Sequence, residues 1–541
     1  LLAAALLCAP APDVRLADDG WFRDADGKLF LPLGGFHGNM IPLSEVELRR
    51  EELERVEKRL WTPKESPEVR YLDIVDAPDH ALRAWFRKLH DSGVTAVRLF
   101  PRAHIGRDVL DLCGKLNPEL RRAFDRAFAA ARPHKIRFLL QILPEPALTS
   151  YWYAPARKEF VLPRFSAEEL RGLAPAQRRF LFKGKQAEST ALFTDPDVLA
   201  CQRLYLAQAL DWVERTPEIF ALEVYNEQGL RPRDAPRTAA AVPDWEEAEI
   251  AWTAKIVREI KQRLPGMPVT ISHPGYGLTG YDPLAWSART GVDFYSSHFY
   301  SGQSGENESV DFAALTAATT AILGAGIVNF PGEWGVLDAS IPAEIRRRAH
   351  RDAIWLTLMA GAPGFMQWTY DFMDEYRRVE RVFRTLPKRF SPTPATIGMR
   401  AAYREYHEPR RYVDSPGRYP FLRDKRTDPN LRQMLDVYRR RLDGGGVLRA
   451  IGGYQVACLE DRRNRAWIGY LRSREVRQFG NTWLGVPVTR PLQLELDLPE
   501  GEYTLALFDL DTGKRKRHRA ARKVRISEAT DRDYAFVITP R

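Results

Sequence analysis

From Trp21 onward the chain alternates short apolar runs with stretches whose apolar residues recur at helical spacing, and eight such rounds can be counted. Leu29 to Gly34, after the Asp26-Gly27 turn, predicts the first strand. A Glu- and Arg-rich insertion from Ser44 to Arg59 predicts a helix on the rim. Asp79 to His90 places Leu82, Trp85, Phe86 and Leu89 on one helical face and stops at Asp91-Ser92-Gly93. Val94 to Phe100 predicts strand two. Asn117 to Arg132 predicts a helix with Asn117 as N-cap and Pro118 at its first position. Ile136 to Leu143 is strand three, and Asp197 to Glu214 is a helix leading to a fourth strand over Ile219 to Tyr225. Trp245 to Leu264 and Phe312 to Leu323 read as helices, and Met267 to Ser272 and Gly291 to Ser297 as strands five and six. Strand seven ends at Glu333, Ala343 to Met359 is helical, and Gly364 to Trp368 is strand eight.

Strands separated by helices must pair in parallel, because a parallel return needs a crossover. Eight rounds predict an α/β fold, a closed (β/α)8 TIM barrel, rather than an open doubly wound sheet. No Gly-x-Gly-x-x-Gly follows the first strand, which argues against a dinucleotide site. After Gly444-Gly445-Gly446 the period changes to two. Gln455 to Leu459, Ala466 to Leu471, Leu492 to Leu498 and Tyr503 to Asp509 alternate apolar and polar residues, which predicts a C-terminal antiparallel β-sandwich. The expected division is therefore a barrel over 20–443 and a sandwich over 447–541. Pro144 to Pro196, with its Tyr151-Trp152-Tyr153 cluster, is too long for a simple connection; it reads as a functional loop over the barrel mouth or a small packed subdomain.

Composition adds modest constraints. The 44% hydrophobic and 28% charged residues are those of an ordinary globular protein. A net charge of +10 is spread as arginine over helical faces, and no nucleic-acid reading motif accompanies it. An anionic polysaccharide or a cell surface stays open as a partner. Leu1 to Cys8 followed by Ala9-Pro10-Ala11 reads as the end of a secretory signal (residues 1–11), and no run is long enough to span a bilayer, so an exported protein, secreted or periplasmic, is expected. Cys113, Cys201 and Cys458 are widely spaced and read as buried thiols.

The chemistry lies in two stretches. Glu218 to Gly229 reads Glu-Ile-Phe-Ala-Leu-Glu-Val-Tyr-Asn-Glu-Gln-Gly, an apolar strand that ends abruptly in Asn226-Glu227. Ile327 to Gly335 ends another strand at Glu333. A carboxyl at the mouth of a barrel is half out of water, so its pKa can rise and it can hold a proton near neutrality. Two such glutamates at the ends of parallel strands are the minimum for hydrolysing a glycosidic bond, Glu227 as acid/base and Glu333 as nucleophile.

On these residues the chain resembles the clan A glycoside hydrolases, most of all glycoside hydrolase family 5, the cellulase and β-mannanase family. Arg98 in Val97-Arg98-Leu99, Asn226-Glu227, His298-Phe299-Tyr300, Gly332-Glu333-Trp334-Gly335 and Trp368 match that family's motifs in order. The resemblance implies that Arg98 and Tyr300 hold the nucleophile, that Asn226 touches a sugar hydroxyl, and that Trp368, with Trp334 beside it, lines the sugar site; His298 joins them as a substrate contact. It implies a retaining mechanism on β-linked glycans, β-1,4-mannan or β-1,4-glucan first, with no metal and no cofactor. Gln228 stands where the family often has proline, and His37, Asn39, Gln141 and Glu145 have no clear counterparts. Glu223 is expected to face the barrel interior as a structural hydrogen-bonding group. A non-catalytic carbohydrate-binding barrel is the competing expectation. A metal-dependent hydrolase is a third, disfavoured because the ten histidines include no His-x-His pair.

Overall fold

The computed structural model describes residues 13–395 and 448–541, apart from 36–39, 61–69, 144–192, 229–241, 274–282, 302–312 and some shorter gaps. His37, Asn39, Cys113, Glu145, the Tyr151-Trp152-Tyr153 cluster and the apolar N-terminus lie outside the described residues.

Eight parallel strands make the central sheet: β1 (Leu33–Gly35), β2 (Ala96–Leu99), β3 (Arg137–Gln141), β4 (Ile219–Glu223), β5 (Val269–His273), β6 (Phe294–Ser301), β7 (Val328–Val336) and β8 (Phe365–Gln367). Neighbours in sequence are neighbours in the sheet from β1 to β7, and β8 pairs with β1. The Trp368 N–H donates to the Trp334 carbonyl at 2.8 Å and closes the ring between β8 and β7. The chain is a (β/α)8 barrel, as its alternation predicts.

Besides a short rim helix over Arg50–Val56, the helices that follow the barrel strands include α1 (Asp79–Asp91), α2 (Pro118–Ala131), α3 (Pro196–Val213), α4 (Val242–Arg263), α5 (Pro283–Thr290), α6 (Ala343–Met359) and α7 (Asp374–Phe383). Leu82, Trp85, Phe86 and Leu89 of α1 are all buried, so the apolar stripe faces the sheet. The Asn117 side chain caps α2 by accepting from the Glu119 and Leu120 N–H groups. Every residue of β4 is buried, because a parallel strand is covered on both faces.

The first strand is shorter than its sequence suggests. Leu29 instead bridges to Arg23, and the Phe30 N–H donates to the Phe22 carbonyl, which ties this stretch to an N-terminal hairpin of Val14–Leu16 and Phe22–Asp24. That hairpin stoppers the floor of the barrel. Phe22 is fully buried and meets Phe220, Phe294 and Phe330 edge-on at centroid separations of 5.3–6.4 Å. Ala96, Leu139, Ala221 and Met366 complete this apolar layer.

The C-terminal region has a six-stranded antiparallel sheet of β9 (Thr393–Ala395), β10 (Tyr454–Asp461), β11 (Ala466–Ser473), β12 (Tyr503–Asp509), β13 (Arg515–Ala520) and β14 (Tyr534–Pro540). A three-stranded sheet of Leu448–Ile451, Leu492–Asp497 and Lys523–Glu528 accompanies it. The larger sheet includes 393–395, well upstream of the expected boundary at 447. Helix α6 carries the contact between barrel and sandwich. Its Asp352 accepts from Tyr470 Oη at 2.5 Å and from Arg472 Nε at 2.8 Å. Arg348 donates to Asp533 at 2.7 Å, and Arg351 donates to Asp511 and Glu375. All of these side chains except Asp511 are buried. Among the described residues no helix is long and apolar enough to cross a membrane.

Candidate active site

Above the apolar floor the barrel interior turns polar. Strand alternation sends Arg98 of β2, Glu223 of β4, Ser272 of β5 and His298 and Tyr300 of β6 into the lumen. Strand β6 runs past the expected end at Ser297 and stays paired with β7 as far as Ser301, so His298 and Tyr300 are set rigidly in a strand.

Arg98 is the hub. Completely buried, it grips Glu223 with two bonds, Nε to Oε2 at 2.6 Å and Nη2 to Oε1 at 2.7 Å. It also donates from Nη2 to Asn226 Oδ1 at 2.8 Å and from Nη1 to Glu333 Oε1. The Asn226 amide is thereby oriented, with Nδ2 as its donor end. Glu223 thus has the internal hydrogen-bonding role read from its position three residues before Asn226.

Glu333 reaches the lumen through a one-residue irregularity. Phe330 faces Ser296 and Pro331 faces Ser297, but His298 then pairs with Glu333, leaving Gly332 as an extra residue. Without it, alternation from Phe330 would point Glu333 outward. The bulge turns the carboxyl inward. Gly332 fits there because it has no side chain, since a Cβ would lie 2.0 Å from Ser296 Oγ. Inside, Glu333 accepts from Arg98 and from Tyr300 Oη.

Glu227 is held differently. Its backbone takes the left-handed conformation, φ 52°, which costs an L-residue about 1–2 kcal/mol. Ser272 pins the turn, its Oγ accepting from the Glu227 N–H at 2.8 Å and its carbonyl from the Gln228 N–H at 2.8 Å. The Glu227 carboxyl is one-fifth exposed, and His298 Nδ1 lies 3.0 Å from its Oε1 and 3.5 Å from Glu333 Oε2. Glu227, His298 and Glu333 each present a polar atom within 4.8 Å of the others. The two glutamates therefore converge.

Burial pushes the Glu227 carboxyl up to about 7, against the opposing pull of Arg98. Burial also pushes Glu333 up to about 7, although His298, Arg98 and Tyr300 draw it down. Desolvation thus works against the support that Arg98 and Tyr300 give the Glu333 anion. Two carboxyls this close titrate as a pair and share a proton near neutrality. The hydrogen bonds decide where it resides: Glu333 accepts from a guanidinium and a phenol, which favours its anion, so the proton falls to Glu227. Burial pushes His298 down to about 4, so its imidazole is neutral. Facing carboxyl oxygens on its Nδ1 side, it is assigned the Nδ1–H tautomer.

Tyr300 packs edge-on against Trp368, ring centroids 5.3 Å apart, and Trp368 is partly exposed at the mouth. Trp334 does not join them. It follows Glu333 in the strand, points outward, and is buried against His350 and Phe365 with its Nε1 donating to Thr316 Oγ1 at 3.2 Å. Its expected place beside the sugar is corrected to the helix layer, since neighbours in a strand face opposite ways. Seven of the eight expected site residues, Arg98, Asn226, Glu227, His298, Tyr300, Glu333 and Trp368, do come together. Ser272 and Gly332 were not foreseen. Pro331-Gly332 inside an apolar strand was the available signal for the bulge; nothing marked Ser272.

No family model matches the chain, and no curated protein does. Solved structures do match in overall shape. The chain is similar to glycoside hydrolases. One is a family 5 glycoside hydrolase from Bacteroides vulgatus ATCC 8482, at 12% identity over 98% of this chain and 93% of that one, TM-score 0.46. Others are an exo-β-1,4-mannosidase from Opitutaceae bacterium strain TAV5 (16% identity, 65% and 54% covered, TM-score 0.40) and an endo-1,4-β-D-mannanase from Thermotoga petrophila RKU-1 (15% identity, 55% and 85% covered, TM-score 0.40).

Proposed function

We propose that the protein is a retaining β-glycoside hydrolase with Glu333 as nucleophile and Glu227 as acid/base. The carrying observation is the convergence of the two side chains, an oxygen of each carboxyl lying within 4.8 Å of one of the other. Retaining enzymes hold theirs about 5–5.5 Å apart, whereas inverting enzymes leave about 6.5–9.5 Å for a water. Glu333, ionised by Arg98 and Tyr300, attacks the anomeric carbon while Glu227 passes its proton to the departing oxygen. Glu333 becomes an ester and loses its charge. Glu227, now a carboxylate, takes a proton from the incoming water, and Glu333 leaves as the anion. Asn226 is oriented to donate to a sugar hydroxyl, and Trp368 offers an apolar face to the ring. The sequence motifs make β-1,4-mannan and β-1,4-glucan the first polymers to try, with the sandwich acting as scaffold for the barrel.

Turnover of aryl β-glycosides by wild type, Glu227→Ala and Glu333→Ala is the test. Both variants lose about a hundredfold or more in kcat. Azide restores Glu333→Ala with an α-glycosyl azide and Glu227→Ala with a β-glycosyl azide. Full activity in both variants would end the proposal. A wild type that binds oligosaccharides but turns over none across a broad β-glycan panel would instead support a carbohydrate-binding barrel.

A further inference from the structure

Away from the site, one face of the sandwich carries a row of arginines without carboxylate partners among the described residues. The edge strand β13 reads Arg-Lys-Arg-His-Arg-Ala, with Arg515, Lys516, Arg517 and Arg519 all exposed. Arg515, Arg517 and Arg519 share the side that looks toward α7, spaced about 6.6–6.8 Å apart as alternate strand residues are. Arg381 of α7 joins them, its Nη1 resting against the Gly513 turn from which β13 starts. Burial lowers the Arg515 pKa first, and the positive charges of Arg517 and Arg381 lower it further. Arg515 lies over the Phe508 ring, 5.1 Å from its centroid.

Some exposed arginines elsewhere find carboxylates, as Arg263 takes Asp211 and Glu214, Arg289 takes Glu247, and Arg347 takes Asp374. Among the described residues, Arg381, Arg515, Arg517 and Arg519 have no such partner. The acids of the adjoining turn are already engaged, Asp509 with Arg532 and Asp511 with Arg351. Like charges held together on rigid elements repel, and an anion relieves them.

We propose that this strip binds a linear polyanionic glycan, one bearing carboxylates or sulfates along its length. Guanidinium forks pair two-pronged with either group. The row is straight and regular, as a repeating polymer would be. A membrane surface fits less well, because the strip carries no large exposed apolar side chain to insert; Leu204, on α3, is the one exposed among the described residues. A single-stranded nucleic acid would want exposed aromatic rings to stack on, and Phe508 is buried. The choice of a glycan rests on the glycosidase reading; the charge strip itself does not.

The full chain is titrated with polygalacturonate and dextran sulfate, with neutral dextran as control, at rising salt. Both polyanions bind, dextran does not, and affinity falls by about tenfold or more between low and high salt. Arg381→Glu/Arg517→Glu/Arg519→Glu weakens binding about tenfold or more, while the Arg→Lys triple stays within about threefold. Aryl β-glycoside turnover is the same in the charge-reversed variant and the wild type, and loss of all turnover in wild type would sink the glycosidase reading alone. Absence of polyanion binding, or binding indifferent to charge reversal, overturns the proposal. So does capture by phosphatidylglycerol vesicles or oligo-dT with none by the glycans.

Discussion

Glu333 lies across from His298 in the barrel wall, one residue further along its strand than alternation from Phe330 allows. That single step decides whether the carboxyl meets Glu227 or the helix layer. The meeting of the two carboxyls therefore depends on a residue with no functional group.

The dependence can be measured at Gly332. Gly332→Val brings in a branched side chain that Ser296 cannot clear, so kcat falls by about a hundredfold or more with secondary structure intact by circular dichroism. Gly332→Ala costs much less, because turning the Ser296 hydroxyl removes the atom a Cβ would strike at 2.0 Å. Equal activity in both variants would show that the bulge does not set the carboxyl.

The raised carboxyls make a stability prediction with a definite sign. Glu227 titrates at about 7 in the fold, against about 4.3 in the unfolded chain. Its contribution is complete below the unfolded value and is lost as pH climbs through 7, because only the folded form still holds the proton. Glu227→Gln, neutral throughout, should therefore be more stable than wild type at pH 8 by up to about 4 kcal/mol, and no different near pH 4. Paired melting curves at the two pH values decide it. The activity profile of wild type is a bell about neutrality, since catalysis needs one proton on the pair.

The two tryptophans should part company under mutation. Trp368→Ala raises KM or lowers kcat severalfold with little change in melting temperature. Trp334→Ala opens a cavity in the helix layer and costs about 3–5 kcal/mol, while the folded fraction keeps its kcat/KM. Urea titration beside steady-state kinetics separates the two; the reverse pattern would return Trp334 to the sugar.

Asp352 should join barrel and sandwich. Asp352→Ala deprives buried Arg472 of its carboxylate partner and is expected to cost about 3–5 kcal/mol. In wild type, tryptophan fluorescence and circular dichroism should report one coincident transition. Two resolved transitions would mean that the sandwich is an independent passenger.

Glu227, His298 and Glu333 could also clamp a divalent cation. If the glutamates work as acid and nucleophile, a chelator leaves turnover unchanged and added Zn²⁺ inhibits in competition with substrate. Activity abolished by chelator and restored by metal would favour a metal-dependent hydrolase.

Much of this was legible in the chain because parallel strands impose it. The periodicities gave the strand-helix alternation, and abrupt strand ends marked Asn226-Glu227 and Glu333. Partnership was harder to read. Arg98 binding Glu223, Asn226 and Glu333 at once is a fact of three strands meeting, and no local pattern encodes it. Trp334 misled because adjacency in sequence was taken for adjacency in space, although strand neighbours face opposite ways. The electrostatic balance was only half legible: charge partners can be guessed from motifs, but the depth of desolvation around Glu333 depends on the whole barrel.

Phe22 and the hairpin that carries it close the barrel at the end away from the two glutamates. Among the described residues the floor therefore offers no passage, so sugar, product and the water of any turnover would all share the mouth side.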